Sequence, residues 1–224
     1  MKLTYGRVLA RADITYATQV TLSAQWVWAG RAVADWPAVI DAARALQQAL
    51  VGKRRTLTTT RNELDATQAD LRGRMRQGLD MARSKYRRED PVAHQTLRLL
   101  RSGGRSRSRI MDEAVAWYEA WGQLPDADWS PTAQNTRAAF LTLLQEAQTK
   151  LQALAAAEAE EERAQQQLAG GLEDLHQDCV EWYEDACAVF TADTPEGRQV
   201  RSILVREAAA DDEEDDEAPQ PPPA

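Results

Sequence analysis

The chain has 224 residues and a formal net charge of −8, and 43% of its residues are hydrophobic. This length and apolar content allow one medium domain or two small ones with a buried core, which excludes a wholly disordered chain. Phe occurs twice and Trp seven times, and Ala supplies much of the apolar content. Such a composition favours helices with thin, Ala-rich contacts anchored by a few large aromatic rings.

Residues 14–28 are the first ambiguous stretch. Their larger apolar side chains fall on even positions, from Ile14 to Trp28, with mostly polar residues between them. A period of two is typical of a strand. The corresponding stretch of the second half, residues 109–117, has a helical pattern, and a lone strand would need a partner. We therefore favour a helix at residues 14–28 and keep a strand as the alternative.

Two long segments without proline follow, at residues 38–90 and 132–194. Large apolar residues recur every seven positions in both, and Glu161 interrupts the second series. Spacing of seven indicates a coiled-coil-like seam. Each segment is long enough for a single helix of roughly 50 residues, about 75 Å long. A helical hairpin broken at Gly52, or at Gly170 and Gly171, is the alternative.

Several landmarks recur in the same order, which predicts an internal duplication. Residues 26–30 correspond to 118–122 at an offset of 92, and Leu64 corresponds to Leu168 at an offset of 104. An Asp-Trp pair opens each long segment, so we expect Asp35 and Asp128 (or Ser130) to cap the helix starts. The sequence predicts an all-α fold: an elongated antiparallel bundle of two tandem helical repeats.

A linker rich in Gly, Ser and Arg, residues 99–109, joins the two halves. We assign residues 1–104 to a basic helical repeat and residues 105–206 to an acidic helical repeat. Residues 207–224 form an acidic, Pro-rich tail. Because a tail of this composition cannot bury enough apolar surface, we expect it to be disordered.

Charge follows the same division. Residues 1–109 hold 21 Lys and Arg against 9 Asp and Glu, whereas residues 110–206 hold 6 against 18. The net charges of +12 and −12 cancel, so the eight acids of the tail account for the overall −8. Opposite charge predicts either that one half docks on the other or that a basic face serves an outside partner.

The leading functional prediction is a non-enzymatic, soluble helical scaffold or protein-interaction module. Its protein partner is not identified by the sequence, and a homo-oligomer is compatible with the pattern. The long helical surfaces expected from residues 38–90 and 132–194 would present the binding face.

The alternative prediction is a nucleic-acid-binding protein. Residues 53–109 carry sixteen Lys and Arg against six acids, enough to neutralise several phosphates. No recognition motif accompanies them, and the acidic tail would compete with the ligand as an autoinhibitory segment. The candidate contacts are Arg54, Arg55, Arg72, Arg76, Arg87, Arg88, Arg105, Arg107 and Arg109.

A third hypothesis is a membrane-interacting helical protein that uses residues 14–30. This uncharged stretch is 17 residues long and contains several Thr, Ser and Gln. It is too short and too polar to predict a membrane span, so we do not expect a membrane partner. The early charges Lys2, Arg7 and Arg11 interrupt any signal-peptide core.

The two cysteines also indicate a compartment. Cys179 and Cys187 lie eight residues apart on a predicted helix. Their backbones would be roughly 12 Å apart, which is too far for a disulfide. We therefore expect reduced thiols and a cytoplasmic protein.

Catalytic and metal chemistry have little support in the sequence. The two histidines, His94 and His176, are 82 residues apart, and no Gly-rich phosphate loop or nucleophile elbow is present. Glu173 and His176 have the spacing of helical carboxylate sites for iron or manganese, but a second Glu-x-x-His is missing. We predict no catalytic residues, no metal and no cofactor.

Overall fold

The computed structural model describes residues 4–126 and 128–203. These residues form an all-α helical bundle without a strand, as the sequence predicts. The elements are α1 (Tyr5–Leu22), a short 3-10 helix (Val33–Asp35), α2 (Trp36–Glu89), α3 (Pro91–Leu99), α4 (Arg107–Gly122) and α5 (Arg137–Val189). Residues 195–203 are also helical and are called α6 here.

The stretch at 14–28 is helical only up to Leu22, and the strand alternative is wrong. The pattern misleads because α1 buries polar side chains: Thr15 and Gln19 are almost fully buried. Thr18 satisfies its own hydroxyl by donating to the carbonyl of Ile14, at 2.9 Å, one turn earlier. Because polar residues lie on the buried face of α1, the apolar residues do not follow a helical period, and the sequence shows an alternation like that of a strand.

Both long segments are single helices, so the hairpin alternative is wrong. α2 runs for 54 residues and α5 for 53, straight through Gly52 and the pair Gly170 and Gly171. A glycine inside a helix costs only about 1 kcal/mol relative to Ala, which tertiary packing can offset. At Gly171 the missing side chain also makes room, because a Cβ there would lie 2.7 Å from Leu46 Cδ1.

The predicted cap of α5 is wrong. Thr136, and neither Asp128 nor Ser130, precedes the helix and accepts a hydrogen bond from the Ala139 amide at 3.1 Å. Residues on the seven-residue seam are buried as expected, among them Leu64, Leu71 and Leu175. Coiled-coil geometry and the internal duplication stay predictions.

The chain forms two compact units. Among the described residues, unit 1 comprises residues 4–52 and 162–203, and unit 2 comprises residues 53–126 and 128–161. The predicted repeats are defined by similarity between two stretches of sequence, whereas the units are defined by contacts in the structure. Each unit therefore combines residues from both predicted repeats. The predicted tail at 207–224 lies outside the described residues.

Within unit 1, the start of α2 packs against the end of α5, together with α1 and α6. The two long helices run antiparallel there, because Trp28 and Arg31, which precede α2, contact Asp185 and Asp178 near the end of α5. The core holds the indole rings of three buried tryptophans, Trp28, Trp36 and Trp182. Trp26 packs beside them, with its ring centre 6.0 Å from that of Trp182.

Unit 2 repeats this scheme with the end of α2, α3, α4 and the start of α5. Lys53 contacts Glu160 at 2.6 Å, and Lys150 donates to Thr67 at 2.8 Å, which is again antiparallel. Its core contains Trp117, Trp121 and Phe140. The clustered aromatic residues of the sequence are therefore core anchors in both units.

Charges of the basic and acidic halves meet inside the units. Arg31 pairs with Asp178 in unit 1, and Arg54 pairs with Glu161 at 3.0 Å in unit 2. Unit 2 carries 18 Lys and Arg against 15 acids, and the described residues of unit 1, 4–52 and 162–203, carry 7 against 12. The net charges of +3 and −5 are smaller than the +12 and −12 of the two halves, so the charge separation along the sequence is partly neutralised within each unit.

None of the helices in the described ranges is long and apolar enough to cross a membrane.

Candidate nucleic-acid interface

The basic arginines of unit 2 are organised by a sharp corner between α2 and α3. α2 ends at Glu89, and Asp90 caps α3 by accepting hydrogen bonds from the amides of Val92 and Ala93 at 2.9 and 3.0 Å. Pro91 occupies the first helical position, where its missing N–H is not needed. The Glu-Asp-Pro sequence therefore ends one helix and starts the next without an intervening loop.

After the corner, α3 and the linker run back along α2. Arg83 donates from Nε to the Leu97 carbonyl at 3.0 Å and from Nη2 to the Leu100 carbonyl at 2.7 Å. Two helical turns earlier on α2, Arg76 donates to the Ser102 carbonyl of the linker at 3.1 Å. Arg83 thus satisfies carbonyls at the end of α3, where the helix leaves them unpaired, and Arg76 holds the linker that follows.

The Gly-Ser-Arg linker is held against the start of α4. Glu113 accepts hydrogen bonds from the Gly104 amide at 2.8 Å and from Arg109 Nε at 3.3 Å. Gly104 is buried, and a Cβ there would lie 2.9 Å from the Arg109 side chain. Arg107 pairs with Asp65 of α2 at 2.9 Å. These bonds fix the direction in which the linker presents its other arginines.

Two open depressions lie on this part of unit 2. The first, of about 660 Å³, is lined by Arg83, Ser84, Arg87, His94 and Arg98. The second, of about 600 Å³, is lined by residues 100–106 together with Arg83, Arg109 and Glu113. Since Arg83 lines both, the depressions are adjacent. We call them together the basic surface, defined by Arg83, Arg87, His94, Arg98, Arg101, Arg105 and Arg109.

Four arginines of the basic surface are exposed and lack an acidic partner in the part of the chain that the structure describes. They are Arg87, Arg98, Arg101 and Arg105. Glu113 is the acid among the lining residues, and it is already bonded to Gly104 and Arg109. The positive charge of the four guanidinium groups is therefore available to an external anion.

Lys85, on the same turn of α2, is different. Its ammonium group donates to Asp126 at 2.8 Å. This hydrogen bond raises the pKa of Lys85 and lowers the pKa of Asp126 relative to their ordinary values. Asp126 neutralises the charge of Lys85, so Lys85 is not part of the basic surface.

The nine arginines proposed from the sequence separate into three groups. Arg87, Arg105 and Arg109 line the depressions. A second group is engaged elsewhere or half-buried: Arg54 with Glu161, Arg107 with Asp65, Arg76 with the Ser102 carbonyl, and Arg72, whose Nε is buried without a hydrogen-bond partner. Arg55 and Arg88 are exposed but line neither depression.

Sequence reasoning left Arg83, His94, Arg98 and Arg101 out of the candidate set. His94 and Arg98 are four residues apart on α3, so they share one face of the helix. This spacing could have identified His94 and Arg98 as members of one site from the sequence alone. The contribution of α2 opposite them depends on the fold-back at Asp90, which the local pattern does not reveal.

The metal and thiol candidates lie in unit 1. Cys179 is fully buried in the core of that unit and is reduced, as is Cys187. Across residues 4–126 and 128–203, no group of three or more His, Cys, Asp or Glu side chains could hold a metal ion. The chain matches no protein family model, no curated protein and no solved structure, so its own residues carry the functional argument.

Proposed function

We propose that this protein is a non-enzymatic helical interaction protein that binds nucleic acid through the basic surface of unit 2. The observation that carries this proposal is the clustering of four exposed arginines without acidic partners in two adjacent depressions. Elsewhere in both units, arginines of the basic half face carboxylates of the acidic half, as Arg31 faces Asp178 and Arg54 faces Glu161. At the basic surface, four neighbouring arginines lack such a partner within the described residues.

The chemistry of the surface favours phosphate over an acidic protein. Guanidinium groups bind phosphate oxygens through paired, charge-assisted hydrogen bonds. Interfaces with nucleic acid are also more polar and more positive than those between proteins. Leu100 is the one apolar residue among those lining the depressions. The large aromatic rings that dominate protein interfaces, such as Trp117 and Trp182, are buried in the cores.

The proposed mode of binding is contact with the backbone rather than recognition of bases. Arg and His side chains and the amides of the glycine-rich linker suit phosphate oxygens, and such contacts carry no sequence information. We therefore expect similar affinity for mixed sequences and a steep dependence on salt.

The experiment is fluorescence anisotropy with labelled, mixed-sequence single- and double-stranded DNA and RNA, at about 50 and 200 mM salt. If about five phosphates of a duplex are neutralised, affinity should fall roughly 500-fold between these concentrations. The variant R101A/R105A should bind more weakly and reduce the salt slope by about 2. Removal of residues 207–224, with their competing acids, should raise the affinity.

The matched control is R163A/R198A. Both of these arginines are exposed and lie outside the basic surface, and their replacement removes the same amount of charge. Binding by R163A/R198A should equal that of the unaltered protein. Equal losses of affinity in the two double variants would show that binding depends on net charge alone. No binding of any nucleic acid at about 50 mM salt would overturn the proposal.

A second proposal keeps the protein-interaction module. Val92 and Leu99 of α3 expose 74% and 82% of their surface, the largest fractions among the exposed large apolar side chains of the described residues. We propose that they mediate self-association. Sedimentation velocity should show a dimer that V92S/L99S converts to a monomer, and a monomer at all concentrations in the unaltered protein would contradict it.

A further inference from the structure

The first depression of the basic surface has a composition of its own. Its lining comprises three arginines, one histidine and one serine, with no carboxylate. α2 supplies Arg83, Ser84 and Arg87, and α3 supplies His94 and Arg98. The fold-back at Asp90 therefore brings cationic side chains from two antiparallel helices to one concave site.

One of these arginines is held rigidly. Arg83 is fixed by hydrogen bonds to the carbonyls of Leu97 and Leu100, and its side chain is 29% exposed. Asp80 lies 3.8 Å from Arg83 Nη1 but is 77% exposed, so water screens most of its charge. Arg83 thus contributes a positive charge in a set position at the floor of the depression, without spending it on a close ion pair.

The other two arginines are free to close on a ligand. Arg87 and Arg98 are exposed, and within the described residues neither is bonded to an acid. The three cations that line the depression have the largely exposed Asp80 as their nearby acid, so they repel one another, and an anion between them lowers that repulsion. Each guanidinium can also offer two parallel N–H donors to a phosphate group, and the Ser84 hydroxyl and the His94 ring add further hydrogen-bonding atoms.

The number of charges selects among phosphates. An internal phosphodiester carries one negative charge, whereas a phosphate monoester carries about −1.5 to −2 at neutral pH. Three guanidinium groups match the monoester better. The volume of about 660 Å³ lies in the range of small-ligand sites. The depression is open, so the phosphate can enter while it is attached to a larger molecule.

We infer that the depression formed by Arg83, Ser84, Arg87, His94 and Arg98 is a binding site for a terminal or free phosphate group, which carries about −1.5 to −2 charge at neutral pH. The source is either a terminal phosphate of a nucleic acid or a free phosphate ion. The first source rests on the proposed function, and the second does not.

The test compares two single-stranded oligonucleotides of identical sequence, one with a 5′-phosphate and one with a 5′-hydroxyl. Isothermal titration of the full-length protein should show about tenfold tighter binding of the phosphorylated strand. R87A/R98A should bind both strands equally, with the residual affinity of Arg101 and Arg105. R163A/R198A, the matched control, should keep the tenfold preference. Inorganic phosphate is titrated separately, at an ionic strength matched with chloride.

Each outcome decides between the site and the proposed function. Equal binding of the two strands by the unaltered protein, together with no binding of inorganic phosphate, overturns the phosphate site and leaves nucleic-acid binding intact. If neither strand binds but inorganic phosphate binds, and R87A/R98A loses it, the site stands with a free-phosphate source and the proposed function falls. If neither strand nor phosphate binds, both are overturned. Retained preference in R87A/R98A, with unchanged helicity by circular dichroism, would also overturn the site.

Discussion

Unit 1 and unit 2 are built from the same kinds of parts but direct their charges differently. Each contains a short helix, a turn with tryptophan and portions of both long helices. In unit 1, Arg31 meets Asp178, and Arg44 meets both Asp13 and Asp41. In unit 2, Arg87 and Arg98 on either side of the α2–α3 corner have no such partners in the described chain, and Arg83 has the largely exposed Asp80 at 3.8 Å. The comparison shows that the contacts an arginine makes, more than the number of arginines, distinguish a structural surface from a candidate binding surface.

The two cores show the same contrast on a smaller scale. In unit 1, Trp28 donates its indole N–H to the carboxylate of Asp185 at 2.8 Å. In unit 2, Trp121 donates to the backbone carbonyl of Trp129 at 3.0 Å. The indole N–H is therefore paired with a side-chain carboxylate in the core of unit 1 and with a main-chain carbonyl in the core of unit 2.

The largest expected effect tests whether the two cores depend equally on a tryptophan anchor. Trp182 in unit 1 and Trp117 in unit 2 are both fully buried. Replacing either with Ala should lower the free energy of unfolding by about 3–5 kcal/mol, because it removes apolar burial and leaves a cavity. Urea unfolding followed by circular dichroism measures the change. Val27, which is 69% exposed, gives the control V27A, with an expected change within about 0.5 kcal/mol. A loss below 1 kcal/mol for one tryptophan alone would show that its unit tolerates repacking.

A smaller effect on stability should come from replacing glycines of the long helices with Ala. A Cβ would meet a packed side chain at some of these positions and open space at others. A Cβ on Gly78 would lie 2.7 Å from Cζ2 of the packed Trp117 ring, so G78A should destabilise by about 1–3 kcal/mol. A Cβ on Gly73 would meet nothing within 4 Å, so G73A should stabilise α2 by up to about 1 kcal/mol.

The matching pair in unit 1 is Gly171 and Gly170. A Cβ on Gly171 meets only the tip of the flexible Leu46 side chain, whereas Gly170 has open space. G171A should therefore cost less than G78A, and G170A should stabilise like G73A. Thermal unfolding of all four variants ranks them, and a cost for G171A above that of G78A would reverse the comparison.

The smallest expected effect concerns the ion pairs themselves. Arg31 and Asp178 are each 23% exposed, and Arg31 also lies 5.7 Å from the centre of the Trp36 ring. D178N should destabilise by about 1–2 kcal/mol, between the values for exposed and buried pairs. Arg61 and Glu158 of unit 2 are about half exposed and 3.7 Å apart, so E158Q should change stability by less than about 0.5 kcal/mol. Similar costs for the two variants in chemical denaturation would mean that burial does not separate these pairs.

Some features of the fold and the site could be predicted locally. The buried positions at seven-residue spacing, such as Leu64 and Leu71, follow from periodicity, and the tryptophans follow from their size. The opposite charges predicted that the halves pair, and pairs such as Lys53 with Glu160 and Arg54 with Glu161 follow that expectation. Caps were harder to predict, because Thr136 competes with several nearby capping residues for the same role.

The candidate site could be predicted only in part. The basic stretch 53–109 contains every arginine of the basic surface, so composition located it along the chain. Which arginines belong to the basic surface could not be predicted, because Arg54 and Arg107 form ion pairs with carboxylates on other helices. Arg98 is added because α3 folds back on α2. These partners are distant in sequence, and a local pattern contains no information about them.

The sequence by itself determined that this protein is all-α, that its long segments carry buried apolar seams, and that its charge is divided between two halves. These properties depend on residue type and spacing along one helix. Only the tertiary structure decided which arginines are neutralised and which remain available. That outcome depends on distances between side chains of different helices, such as the 3.0 Å between Arg54 and Glu161, and those distances are set when the antiparallel helices pack.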